Sequence, residues 1–261
     1  MTAPALLTRE VGYARKTLLR DPQSLFTTIG LPLLYLVIFD TVFGSQIGHI
    51  PSQPGILKAA TVITPSIVVV GVVSAAFQNL AVRLVQDREF GVLKRLHSAP
   101  VPTWLFLGGQ VVNAILTALA MAVLVTAVGM LVYGVPSLDE RAVAAVVTLL
   151  VGTAACAAAA IPFTRVITKG SAASPVTFAI TLTLFFISGN FFAGATMPRS
   201  LNVVADLFPV SHFTRAMTTA FNPHVTGGGW SPVELLILAA WAVGGALVGL
   251  WVFRWTPTGD R

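Results

Sequence analysis

The sequence predicts an all-α, polytopic membrane protein that forms a single transmembrane domain over residues 1–261. Three observations carry this prediction: hydrophobic residues make up 55% of the chain, charged residues make up 10%, and the apolar residues form long uncharged runs. A soluble domain carries about 25% charged residues, because its surface must be solvated. Apolar runs of about 20 residues match the thickness of a bilayer core. We therefore expect the chain to cross a membrane several times.

Six apolar segments are predicted as membrane-spanning helices. The second and third are longer than a bilayer requires, so they should tilt or project from it. The first and second each contain a proline, Pro32 and Pro65. The six predicted spans are residues 24–43, 57–84, 103–133, 142–164, 173–192 and 233–253.

Residues 5–20 precede the first span and mix apolar with basic residues at helical spacing. Leu7, Val11 and Leu18 share one face, whereas Arg9 and the other basic residues lie largely off it. This pattern predicts a short amphipathic helix that lies on the membrane surface.

The lysines and arginines predict the orientation of the chain. With the N-terminus inside, 12 of the 16 fall in cytoplasmic segments and the remaining 4 in outer segments. Because basic residues collect in cytoplasmic loops, both termini are predicted to be cytoplasmic. The same rule accounts for the net charge of +6 without a nucleic-acid partner.

The connection between spans five and six is too apolar to be a solvated loop. Pro198, Pro209 and Pro223 divide it into pieces of one to three helical turns. We expect residues 193–225 to form short re-entrant helices that dip into the outer leaflet, where protein or water must satisfy their broken ends.

The stretch QDREFGVLKRLHSAPVP, residues 86–102, concentrates charge between spans two and three. Gly91 offers a flexible joint, VLKRLHSA has the composition of a short helix, and a proline stops it. We expect a short, stiff cytoplasmic helix over residues 86–99. An ordinary basic loop is the alternative, although it would expose apolar side chains to water without gain: Phe90, Leu93 and Leu96.

Catalytic and cofactor motifs are missing from the sequence. Lys169 precedes Gly170 and Ser171, but no glycine-rich loop comes before it, so the chain is not expected to bind ATP or to be an enzyme. No pairing at metal-ligand spacing occurs among the four histidines, so no metal site is expected: His49, His97, His212 and His224. Cys156, the single cysteine, is expected to pack as a small apolar residue.

Asp40 is an acid within the first apolar segment, and it supports two interpretations. The simpler one is a water-exposed aspartate at the membrane interface, since Asp40 lies near the predicted outer end of span one. The other is a site for a cationic substrate group or an intersubunit ion pair, because intramembrane acids are commonly functional. Asn113, Phe185 and Phe186 complete the set of candidate substrate-pathway residues.

Small residues crowd spans four and six, including Gly152, Gly244, Gly245 and Gly249. Such residues allow helices to approach closely, so we expect tight packing between helices. Dimerisation through one of these faces is the alternative.

Three stretches resemble the membrane subunits of bacterial ABC-2 type transporters, with the daunorubicin-resistance and nodulation-factor exporter permeases as the nearest groups. The stretches are RDPQSLFTTIGLPLLYLVIFDTVFG, DREFGVLKRLHSAPVP and FFISGNFFAGATMPRSLNVVADLFPVSHFTRAM. The resemblance covers essentially the whole chain, and the middle stretch is its most specific part.

The resemblance implies a location, partners and a coupling site. Two permease subunits, identical or homologous, would pair in the bacterial cytoplasmic membrane, and each would dock on a separate ATPase subunit that binds ATP and magnesium. Residues 86–99 resemble the coupling helix of the family, which sits in a groove of the ATPase. By position, the residues that make or shape this contact are Asp87, Arg88, Glu89, Phe90, Gly91, Leu93, Lys94, Arg95 and Pro100.

The function that follows from this resemblance is ATP-driven export of an amphipathic drug or a lipid-like molecule. A polysaccharide or glycoconjugate exporter is the alternative within the family. A secondary transporter or channel that works without an ATPase is a third class, but it normally needs polar or ionisable groups near the membrane centre. Spans two to six show few such groups, Asn113 and the threonines being the main ones.

Overall fold

The computed structural model describes residues 26–44, 47–51, 56–91, 103–167, 169–190 and 198–252. Several predicted features lie outside these residues: the interfacial helix at 5–20, residues 92–99 of the coupling helix, residues 193–197 of the re-entrant region, and the ends of three spans at 24–25, 191–192 and 253.

Helices dominate the described residues. In chain order they are α1 (Leu31–Ile38), α2 (Ala59–Val73), α3 (Leu80–Glu89), α4 (Thr103–Tyr133), α5 (Ala142–Phe163), α6 (Gly170–Ile187), α7 (Arg199–Ala205), α8 (Pro209–Phe221) and α9 (Pro232–Val252). Turns of π-helix at Phe26–Gly30 and Phe39–Gly44 flank α1, and a third at Ser74–Asn79 joins α2 directly to α3.

A short β-hairpin connects the first helical segment to the second, which the all-α prediction missed. Its strands are β1 (His49–Pro51) and β2 (Ile56–Lys58), which pair antiparallel with His49 opposite Lys58. The connection is rich in proline and glycine, which disfavour a helix. Strand pairing instead satisfies the backbone groups while the chain reverses direction.

Five helical segments among the described residues are long and apolar enough to cross a membrane. They are Ala59–Glu89, Phe106–Tyr133, Asp139–Phe163, Gly170–Ile187 and Pro232–Trp251, and they correspond to predicted spans two to six. The predicted first span is observed as a shorter apolar helix, Thr28–Val42. The protein therefore has the helices of a multi-pass membrane protein, while a sixth span stays a prediction.

Two span boundaries differ from the predicted ones for local reasons. The second helical segment continues to Glu89 rather than 84, because its last turn is fixed by contacts described below. The fifth ends at Ile187, where Gly189 adopts a φ of 76°. The Gly189 amide donates to the Phe186 carbonyl and the Asn190 amide to the Phe185 carbonyl, the paired bonds of a Schellman helix end.

Consecutive long helices alternate in direction. Gly129, near the end of α4, faces the side chain of Thr64 near the start of α2. Helices α5 and α9 run parallel, because Gly245 lies against Ala158 and Gly249 against Ile161. The bundle thus has one end that contains Arg88, called here the Arg88 end, and an opposite end that contains Tyr133, called here the Tyr133 end.

Helix α2 lies at the centre of the bundle. Fourteen of its 15 residues are buried, as expected of a helix that is apolar on every side. Helices α5 and α9 pack through small residues: a Cβ atom at Gly245 would lie 2.9 Å from the backbone carbonyl carbon of Ala158. The predicted close packing thus occurs within the chain, and it uses the Gly245 face of α9.

Candidate functional site

The predicted coupling residues begin on the last turn of α3. Asp87 is half-buried, Glu89 is exposed, and Phe90 is 71% exposed just beyond the helix. Gly91 adopts a φ of 68°, a left-handed conformation that favours glycine, so the chain leaves the helix axis there. The remaining predicted residues lie outside the described part of the chain: Leu93, Lys94, Arg95 and Pro100.

Arg88 is buried and holds the end of a neighbouring helix. Its Nη1 donates to the carbonyl oxygen of Thr164 at 3.2 Å, and its Nη2 donates to the carbonyl oxygen of Ile167. Both carbonyls follow the last residue of α5, where free carbonyl groups carry partial negative charge. A guanidinium fork suits this position because it can serve two acceptors at once.

Glu89 lies at the beginning of the next helix. Its carboxylate occupies the space in which a Cβ atom at Gly170 would stand, and Gly170 is the first residue of α6. A negative charge near a helix N-terminus is favourable, because the helix dipole and the free amide groups are positive there. Glycine at position 170 therefore leaves room for the acid.

Arg88 and Glu89 together form a clamp between three helices, called here the Arg88 clamp, with Thr164, Ile167 and Gly170 as its partners. The basic residue fixes the end of α5, and the adjacent acid covers the start of α6. The clamp residues lie three and two positions before Gly91, so the start of the predicted coupling segment is tied to α3, α5 and α6 together.

A cavity of about 410 Å³ lies between the first helical segment, the π-helical turn Ser74–Asn79 and α6. Polar and aromatic side chains line it together: Tyr35, Ser74, Gln78, Thr181, Phe178 and Phe185. The hydroxyl of Thr181 is buried and has no hydrogen-bond partner among the described residues. This cavity, called here the central cavity, can therefore offer both a hydrogen bond and aromatic surface to a bound molecule.

The π-helical turn is the feature that creates the polar side of the central cavity. π-Turns within α-helices are rare and occur frequently at functional sites. Sequence reasoning passed over Ser74, Gln78 and Asn79, because they appear as isolated polar residues in an apolar run. The sequence signal for this polar lining was the occurrence of three polar residues within SAAFQN, inside a predicted span.

The structure brings together only some of the predicted pathway residues. Phe185 is buried and lines the central cavity, whereas Phe186 is 45% exposed. Asn113 lines a separate polar pocket of about 30 Å³, which has room for a water molecule. Asn79 lines both spaces and donates to the Thr28 hydroxyl at 3.1 Å, so it forms the wall between them.

Asp40 does not lie where the simpler interpretation placed it. Its side chain is buried, with 4% exposure, and neither carboxylate oxygen has a hydrogen-bond partner among the described residues. Asp40 belongs to the π-helical turn Phe39–Gly44, which packs against α2. The water-exposed interpretation is therefore wrong, and a role with a cationic group stays a prediction.

Helices α7 and α8 fall in the region predicted to be re-entrant, and α8 packs against the centre of the bundle. The ring of Phe213 on α8 lies against Gly152, the midpoint of α5. At its other end, Ala220 lies beside Gly229 and Arg141, which precede α9 and α5. Helix α8 thus extends from the middle of α5 to the Tyr133 end. Its position relative to a bilayer stays a prediction.

His212 on α8 is the centre of a network of charged residues, called here the His212 clamp. The ring Nε2 donates to the Asp206 carbonyl oxygen at 3.0 Å, and Nδ1 bonds to the carboxylate of Glu234 in the first turn of α9. Arg215 pairs with the carboxylate of Asp206 and lies 3.5 Å from that of Glu234. The clamp therefore joins the α7–α8 turn to the start of α9.

Sequence reasoning missed the His212 clamp because its members are far apart in the chain. His212 and Glu234 are 22 residues apart. The local signal was the spacing of His212 and Arg215, which places them on one face of a helix near two acids. Only the fold identifies which acids they meet.

Comparison with protein families gives one result that covers most of the chain. The family model described as ABC-2 type transporter matches residues 7–222. No curated protein has a significantly similar sequence. The matched range includes the predicted coupling residues, the central cavity and the His212 clamp except Glu234. The chain therefore belongs to the ABC-2 type transporter membrane family.

Proposed function

We propose that this protein is the membrane-spanning permease subunit of an ATP-driven exporter that moves an amphipathic drug or a lipid-like molecule. The observation that carries the substrate class is the lining of the central cavity. It combines the unpartnered hydroxyl of Thr181 with the aromatic rings of Tyr35 and Phe185. Among its described lining residues none is charged, so an uncharged polar group attached to an apolar body suits it best.

The energy for transport comes from separate ATPase subunits, two in each complex, that bind ATP and magnesium. Family membership supports this partnership, since ABC-2 membrane subunits generally work with ABC ATPases. A second permease, identical or homologous, completes the complex. We place it in the bacterial cytoplasmic membrane with both termini inside, as the distribution of basic residues predicts.

The coupling contact is proposed for the segment that begins at Asp87 and extends through Pro100. The Arg88 clamp supports this proposal, because it ties the start of the segment to three helices. In this scheme Arg88 and Glu89 position the segment, whereas Phe90 and the following residues contact the ATPase. Differential contact with the two ATPase states then shifts the permease between its conformations.

A polysaccharide or glycoconjugate exporter is the second candidate. Its supporting observation is that three aromatic side chains line the central cavity: Tyr35, Phe178 and Phe185. Sugar rings stack on such surfaces. The transported substrate would also decide the subgroup. The two candidates are the daunorubicin-resistance exporters and the nodulation-factor exporters.

Co-expression with its ATPase subunit, followed by reconstitution in liposomes, tests the function. The two subunits should co-purify, and drugs or lipids with a hydroxyl or amide group should stimulate ATP hydrolysis. Replacing Thr181 with valine should raise the concentration for half-maximal stimulation about threefold to tenfold, the value of one hydrogen bond. Thr183→Val is the matched control, because Thr183 is exposed and its hydroxyl already bonds to the Ala179 carbonyl.

Two results would contradict the proposal. Transport at full rate by the chain alone, without ATPase or nucleotide, would replace it with a secondary transporter. Stimulation by oligosaccharides alone, with the same loss on Thr181→Val, would favour the glycoconjugate exporter instead.

A further inference from the structure

A second, larger cavity of about 590 Å³ lies beneath the turn between α7 and α8. It is called here the elbow cavity, and Phe208, Pro209 and Val210 form one wall of it. Helices α2, α5, α6 and α9 and the π-helical turn Ser74–Asn79 form the others, through residues such as Leu184 and Phe77. It is distinct from the central cavity, since no described residue lines both.

The chemistry of the elbow cavity differs from that of the central cavity. Apart from the thiol of Cys156 and the indole of Trp241, its described lining side chains are hydrocarbon. A cavity of about 150 Å³ with such a lining stays dry and can bind benzene, and this one is about four times as large. Water has too few partners here, and an empty apolar cavity destabilises a protein in proportion to its volume. The suitable occupant is therefore a long hydrocarbon chain.

The elbow cavity adjoins a groove on the surface of α9, called here the α9 groove. Ala159, Pro162 and Trp241 line both spaces, so they form the partition between them. A Cβ atom at Gly244, within the groove, would meet no heavy atom within 4 Å. At Gly244 the groove is therefore open, and from there it leads to Trp241.

The α9 groove opens on an apolar surface. Around it, Leu236, Val243 and Leu247 are 70%, 61% and 63% exposed. In a membrane protein such a surface faces the hydrocarbon of the bilayer, which supplies acyl chains at very high local concentration. Because the groove leads from this surface to the partition, one chain can enter the cavity where the partition residues move apart.

We propose that the elbow cavity binds one acyl chain of a membrane phospholipid, which enters through the α9 groove and passes Trp241. The headgroup stays outside, because the described cavity lining offers it no charged partner. The terminal part of the chain contacts Phe208 and Pro209, so it supports the α7–α8 turn from below. This site is independent of the transported substrate and of the function proposed above.

Photolabelling of the full chain in liposomes tests this site. The probe is a phosphatidylcholine with a diazirine at the end of one acyl chain, and the adducts are located by mass spectrometry. We expect adducts within the cavity, on Phe163, Leu184 or Cys156, that ordinary phosphatidylcholine displaces. Ala159→Phe, at the partition, should reduce these adducts at least tenfold. Val243→Phe, on the exposed face of the same region, should leave them unchanged.

A second variant keeps the test valid if Ala159→Phe does not fold. Gly244→Leu places a side chain in the groove without entering the packed core, and it should also reduce the cavity adducts at least tenfold. Two results would overturn the proposal. One is adducts confined to the exposed residues of α9. The other is a disulfide between two copies of Val248→Cys, which would show that a second chain covers the groove. Transport activity is not a readout, so failure here leaves the proposed exporter function unaffected.

Discussion

The Arg88 clamp and the His212 clamp hold helices of the bundle together in different ways. At the Arg88 end, a permanently charged guanidinium binds the backbone carbonyls of Thr164 and Ile167. In the His212 clamp, the four residues bind mainly through one another's side chains: His212, Glu234, Arg215 and Asp206. Backbone acceptors cannot move independently of their helix, whereas side-chain acceptors can rotate away. The first arrangement therefore suits transmission of movement, and the second suits a contact that opens and closes.

Burial sharpens the difference between the clamps. Arg88 is 7% exposed, whereas the side chains of Arg215 and Asp206 are 44% and 46% exposed. Exposed ion pairs contribute little to stability because water and salt screen them. Only the His212–Glu234 pair, with side-chain exposures of 6% and 19%, is well protected. The second clamp thus depends mainly on one protected contact, and the exposed Arg215–Asp206 pair contributes less.

The largest effect is expected for Arg88→Ala. We expect the free energy of unfolding in lipid nanodiscs to fall by about 3 kcal/mol, because two buried carbonyl groups lose a charged donor. Hydrogen exchange should rise at the amides of residues 164–172 and stay unchanged at the His212 clamp. Arg88→Lys should recover part of the loss, since one ammonium cannot serve both carbonyls as the fork does.

Gln86→Ala is the control for this variant, because Gln86 is an exposed residue on the same helix. Equal destabilisation by both variants would contradict the role given to Arg88. A rise in exchange at both clamps would show instead that the two clamps act as one unit.

A smaller effect is expected for His212→Ala. The variant removes two hydrogen bonds, one of them to a carboxylate, so we expect a loss of about 2 kcal/mol. Hydrogen exchange should rise at the amides of residues 206–215 and leave residues 164–172 unaffected. His224→Ala is the matched control, because His224 is exposed and only its backbone amide bonds to Asn222. Identical exchange patterns in the two histidine variants would show that the side-chain contacts of His212 do not hold α8.

The smallest effect is expected for Asp206→Asn, which weakens the exposed pair with Arg215. We expect a loss of less than about 1 kcal/mol, which decreases further as salt is added. Glu140→Gln, a change at another exposed acid, provides the baseline for loss of one surface charge. A loss as large as that of His212→Ala would mean that the exposed Arg215–Asp206 pair, rather than the His212–Glu234 pair, stabilises this clamp.

The sequence predicted the long helices well because their signal is local. Five of the predicted spans correspond to helices long enough to cross a membrane, and small residues in spans four and six predicted the close packing of α5 with α9. Cys156 is buried as a small apolar residue, as expected. Each of these predictions follows from the hydrophobicity or size of residues within one segment.

Predictions that needed partners from other segments were less complete. The simpler of the two interpretations of Asp40 placed it in water because it lies near a span end, but its side chain is buried and the π-helical turn that contains it packs against α2. Arg88 was predicted to make or shape an ATPase contact. Its guanidinium is buried against the carbonyls of Thr164 and Ile167, so in our proposal it shapes the contact by positioning the segment that follows. The hairpin was missed because its strands are three residues long and carry no clear alternation.

By itself, the sequence determined that this protein is helical, apolar and multi-pass, and it identified the charged segment after span two. The reason is that hydrophobic runs and charge bias act residue by residue along the chain. Only the tertiary structure decided which residues meet. Arg88 meets two carbonyls that follow α5, His212 meets Glu234, and Thr181 and the π-helical turn Ser74–Asn79 line one cavity. These contacts join residues distant in sequence, and their energies depend on burial and on direction, which only the packed fold defines.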